Sequence, residues 1–97
     1  MAVRKVKWST KAIGQRQLIT DWYVEHVNYL AAVHFNRDVE SVVATLSAMP
    51  TVGHIAPRFS SSKYTYYSFV FHAKYLVIYR FTSKTIYIQA LRSTQML

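Results

Sequence analysis

Three strand-like runs in the last third of the chain constrain the fold more than any other feature. "YTYYSFVF" (64–71), "YLVIYRF" (75–81) and "TIYIQAL" (85–91) are dense in aromatic and β-branched residues. Only "HAK" and "TSK" separate them. Connections that short join antiparallel neighbours, because a parallel return needs a dozen or more residues. An antiparallel meander follows, and one of its faces must be covered.

The cover is encoded upstream. In "VRKVKW" (3–8) Val3, Lys5 and Lys7 alternate with Arg4, Val6 and Trp8, which predicts a short edge strand with one buried face, blunted by its charges. Ser9 is placed to cap a helix that follows. In that helix Ala12, Ile19, Trp22, Tyr23 and His26 share one stripe, and the stem of Arg16 fills the same face. Gly14 weakens its first turn. "HVNYLAA" (26–32) reads as a break, with Asn28 capping a second helix. There Phe35, Val39, Val42 and Leu46 recur at steps of four, three and four, widened by Val43 and Met49. Pro50 ends the helix, and "MPTVGHIAP" (49–57) reads as a loop. Two striped helices joined by so short a break form an antiparallel hairpin. The predicted order is β-α-α-β-β-β. This is an α+β fold, with the hairpin on one face of a small, largely antiparallel sheet, in a single domain over residues 1–97.

Charge narrows the functional classes. Lys and Arg number 12 against 4 acids, a formal +8. Asp21, Glu25, Asp38 and Glu40 all fall within positions 21–40, and from Ser41 onward there is no acid. A basic half predicts an anionic partner: nucleic acid, an acidic protein segment or a membrane surface. Cysteine is absent, which excludes a thiol nucleophile and a thiolate metal site and fits a reducing compartment. "MAVRKVKWST" lacks the apolar core of a signal peptide, and no run is long enough to span a membrane, so a cytoplasmic protein is expected. His26, His34, His54 and His72 show no metal-ligand spacing, and two glycines build no phosphate loop. No metal or cofactor is implied. The strand region interleaves Tyr64, Tyr66, Tyr67, Tyr75, Tyr79 and Tyr87 with basic residues, a surface suited to RNA. About half of those tyrosines must belong to the core. The candidate nucleic-acid contacts are Arg58, Lys63, Arg80 and Lys84.

"VKWSTKA", "DWYVEHVNYLAAVHF", "LSAMPTVG" and "YLVIYRF…TIYIQAL" occur in an order and spacing that resemble the RelE/ParE superfamily of toxins from bacterial type II toxin–antitoxin systems. The elements carrying the resemblance are Trp8-Ser9 with Ala12, Ala31-Ala32 with Phe35, Pro50 with Gly53, and Tyr79 before a hairpin. It implies a growth-inhibiting toxin of a plasmid-stabilisation type, neutralised by an acidic antitoxin. RelE-like members are metal-independent, ribosome-dependent endoribonucleases, whereas ParE-like members inhibit DNA gyrase. The nuclease pattern expects an arginine at or beside Val70, but Ser68-Phe69-Val70-Phe71 has no cation. It also expects a His-Tyr or Asp-x-Arg near the end, where this chain has Ser93-Thr94-Gln95. The resemblance therefore implies a ParE-like toxin acting by binding, with Met96 and Leu97 as an apolar tail for packing or for the antitoxin. Two alternatives stand beside it. One is an mRNA interferase with a non-standard set of His72, Lys74 and Arg92 as catalytic residues, supported by Arg58 and Lys63. The other is a degenerate toxin retained as a binding module.

Overall fold

In the computed structural model, residues 3–93 are described. Strand β1 (Lys5–Trp8) leads into α1 (Thr10–His26), and two residues later into α2 (Tyr29–Ala48). A 3-10 turn (Pro50–Val52) follows, then strands β2 (His54–Ile55), β3 (Tyr67–Phe71), β4 (Tyr75–Phe81) and β5 (Thr85–Ser93). The sheet order is β1-β5-β4-β3-β2. β1 runs parallel to β5, and every other pairing is antiparallel. The expected α+β order is present, with two-residue β2 added inside the stretch read as a loop.

Both helices start where their caps are written. The Ser9 hydroxyl accepts from the Ala12 amide at 3.0 Å, and Asn28 Oδ1 accepts from the Ala31 amide at 2.8 Å. Arg16 Nη1 meets Glu40 at 2.8 Å and Arg16 Nε meets Asn36 at 2.7 Å, while Asn36 donates to Thr20 at 3.0 Å. These pairs run in opposite directions along the two helices, as an antiparallel hairpin requires. Arg16 also lies over the Trp8 ring, 5.1 Å from its centroid, and so ties α1, α2 and β1 together.

The core lies between the hairpin and one sheet face. Ala12 and Ile19 of α1, and Phe35, Val39, Val43 and Leu46 of α2, meet Phe71, Tyr75, Val77, Tyr79, Ile86, Ile88 and Leu91. Three expected core positions depart from this. Trp22 and His26 are exposed and stack on each other, with centroids 4.9 Å apart. Neighbouring helix residues point about 100° apart, and Tyr23 takes the inward slot against Phe35. Met49 is 58% exposed because it caps α2 rather than continuing it.

Strand alternation gives the sheet an outer face, turned away from the helices. Lys5 and Lys7 share that face with Tyr87, as the β1–β5 register shows. Ser68, Val70, Leu76, Ile78 and Arg80 supply its β3 and β4 positions. An irregularity in the β4–β5 register beside Ile78 and Tyr79 shifts β5 by one residue, so that Ala90 and Arg92 also point outward. Phe59 and Tyr66, from the segment between β2 and β3, cover Ile78 and Ala90, and Ile78 is 1% exposed.

Candidate functional site

The motif residues Pro50, Gly53 and Tyr79 meet in space. The Tyr79 hydroxyl, fully buried, donates to the Pro50 carbonyl at 2.6 Å. A Cβ on Gly53 would lie 2.3 Å from that hydroxyl and 2.6 Å from the Ser68 carbonyl, so only glycine fits. Burial raises the Tyr79 pKa, opposed by a hydrogen bond from the Gly53 backbone. This part of the motif anchors the loop after α2 to the centre of the sheet. It holds no exposed group that could act on a substrate.

His72 and Lys74 share the turn between β3 and β4. His72 Nε2 lies 2.9 Å from Asp38 Oδ2 on α2, with both side chains about half exposed. The sequence reading finds no carboxylate near His72 because Asp38 is 34 residues away; only the packing of α2 on the sheet brings it close. Lys74 Nζ sits 5.7 Å from the Tyr23 centroid and 5.3 Å from that of Tyr75. The Tyr23 and Tyr75 hydroxyls are hydrogen-bonded to each other. Burial pushes the Tyr75 pKa up, and the Tyr23 hydroxyl adds to the shift. Tyr23, His34, Phe35, Asp38, His72 and Tyr75 line one shallow cleft.

Arg92 is elsewhere. Paired with Leu76, it points from the outer face and lines a cleft with Lys11, Phe59, Tyr66 and Gln89. The structure thus brings His72 and Lys74 together on the helix side and leaves Arg92 on the opposite face. Val70, where a nuclease pattern expects arginine, is 56% exposed beside Leu76. The outer row there reads Val70, Leu76, Arg92, two apolar residues and one cation. Thr94, Gln95, Met96 and Leu97 lie outside the described residues.

The candidate nucleic-acid contacts separate as well. Arg58 is exposed in the segment before β3, and Lys84 is exposed in the β4–β5 turn. Arg80 and Lys63 gather around tyrosines. Arg80 Cζ lies 4.2 Å from the Tyr64 centroid and 3.9 Å from that of Tyr87, and Lys63 Nζ lies 5.4 Å from Tyr64. This sandwich escaped the sequence reading, since nothing local marks Tyr64 and Tyr87, 23 residues apart, as neighbours. Among the described residues no group of three His, Asp or Glu side chains is placed to hold a metal, and no helix is long and apolar enough to cross a membrane.

A helical hairpin on a mixed five-stranded sheet, with Pro50 and Gly53 locked to Tyr79, defines a RelE/ParE-like scaffold. The model of the family described as "ParE toxin of type II toxin-antitoxin system, parDE" matches residues 6–97, and the chain belongs to that family. Among solved structures it is similar to a chain of the chromosomal ParDE toxin–antitoxin system from P. aeruginosa. The TM-score is 0.76 and the identity 19%, over 96% of this chain and 98% of that one. At that identity the likeness speaks for the fold. No curated protein matches the chain.

Proposed function

We propose that this ParE-family toxin acts in the cytoplasm by binding DNA gyrase rather than by cutting RNA, and that an acidic antitoxin neutralises it. One observation carries the reading. The basic groups nominated for catalysis do not face a common point: His72 is turned to Asp38 and Lys74 to two tyrosines, while Arg92 projects from the other face. General acid–base chemistry on a phosphodiester needs its groups within hydrogen-bond reach of the same reacting atoms. Instead the row at Val70 and Leu76 offers apolar surface beside a cation, which suits a protein partner. Electrostatics favours the acidic antitoxin, since all four acids of this chain sit on α1 and α2 and the other elements are acid-free.

Induced expression without antitoxin tests the proposal. Growth arrest with DNA synthesis stopping before translation is expected, together with an unchanged pattern of mRNA ends. Translation stopping first, with cleavage on programmed ribosomes that Lys74→Ala or Arg92→Ala abolishes, would establish the nuclease instead. Unimpaired growth would mark a degenerate toxin.

A further inference from the structure

We propose that the outer face of the sheet is a docking surface for the phosphate backbone of duplex DNA, centred on Arg80. Among the described residues every acid lies on α1 or α2, and the outer face carries Lys5, Lys7, Arg80 and Arg92 with no carboxylate among them. Among the described residues the ion pairs Arg16–Glu40 and His72–Asp38 both involve α2, and neither draws on an outer-face cation.

Arg80 is held ready. Its guanidinium carbon lies over both the Tyr64 and the Tyr87 ring, with centroids 4.2 and 3.9 Å away. Contact with two rings restricts the side chain before any ligand arrives. A guanidinium so held has less freedom to lose on gripping a phosphate with two N–H groups. Lys7 pairs with Tyr87, and Tyr87 with Arg80, so these residues form one row across β1, β5 and β4. Lys63 extends the row beyond Tyr64, beside a cleft that also presents the hydroxyl residues Thr65 and Thr82. From Lys7 to Arg80 is two strand spacings, about 10 Å. Charges spaced in this way can meet separate phosphates of one duplex, whose charge is closely and regularly spaced.

The same geometry selects the occupant. Unpaired bases would need bare aromatic faces to stack on, and here Arg80 covers a face of both Tyr64 and Tyr87. The rings act as platforms for a cation. Their use favours phosphate contact with a regular duplex over base stacking with a single strand. An acidic peptide would supply charge but no regular phosphate spacing.

Fluorescence anisotropy with a labelled 20-base-pair duplex, between 50 and 200 mM salt, tests this on the purified full chain. With about 0.9 ion released per neutralised phosphate, Lys5, Lys7, Lys63 and Arg80 give an expected log–log slope of about −3 to −4. Arg80→Gln should weaken binding several-fold and reduce the slope by about one. The Lys7→Gln, Lys63→Gln double variant should reduce it by about two. Arg37→Gln removes the same charge from the exposed side of α2 and should leave the slope unchanged. Arg80→Lys keeps the charge and should keep the slope while binding less tightly than wild type; it also serves if Arg80→Gln fails to fold. A salt-insensitive interaction, or an equal loss in Arg37→Gln and Arg80→Gln, would overturn the proposal. So would tighter binding of a single-stranded 20-mer or of a polyglutamate peptide. The assay contains no gyrase, so its failure leaves the proposed target untouched.

Discussion

Tyr79 shows how one residue can join a motif to a fold. Its hydroxyl fills the space that a side chain at position 53 would need, and its bond to Pro50 holds the end of α2 over the sheet. Tyr79→Phe leaves a buried carbonyl without its donor and should cost about 1–2 kcal/mol in urea unfolding, with little change in m-value. Gly53→Ala forces a methyl against the Ser68 backbone as well as Tyr79, and overpacking of this kind costs about 1–3 kcal/mol. Tyr75 and Tyr79 also predict an alkaline limit. Both phenols have folded pKa values raised above the unfolded value of about 10. The stability they contribute is complete below that value and is lost as pH rises through the folded ones. Stability should therefore fall above about pH 10. An ultraviolet titration should show two of the eight tyrosines ionising only as the protein unfolds.

Among the elements, the β3–β4 hairpin is the one built against its own residue preferences. His72 and Ala73 have φ of 55° and 56°. Both central residues are thus left-handed, as a type I′ turn requires, without the asparagine or glycine that usually supplies it. Ala73→Gly removes the Cβ penalty and should raise stability by about 0.5–1 kcal/mol in thermal or urea unfolding. The turn stays closed because β3 and β4 are packed along their length and Asp38 holds His72 from α2. The helices and three long strands were legible from periodicity, capping residues and short connections. β2 was not, because two exposed residues carry no pattern and are defined only by pairing with Ser68 and Tyr67. Periodicity of 3.6 residues fixes a stripe only to within one neighbouring position, so it places Trp22 and His26 inward where Tyr23 claims the slot.

For the molecule as a whole, the segregation of charge in the sequence carries through to the structure, with acids confined to the helical layer and the outer sheet face basic. What the sequence withheld was convergence. His72, Lys74 and Arg92 all fall near the β3–β4 turn and the paired end of β5, yet strand alternation sends Arg92 to the opposite face from Lys74. The Arg80 sandwich and the His72–Asp38 pair depend on contacts between elements distant in the chain, which no local pattern announces. Among the described residues the molecule has a buried core, a basic face and no convergence of His72, Lys74 and Arg92 on one point, which supports the proposed inhibition by binding. A supercoiling assay with purified gyrase tests that claim most directly. Activity should fall in proportion as the toxin approaches stoichiometry with gyrase and should return on adding antitoxin. Undiminished supercoiling at molar excess of toxin would contradict the account.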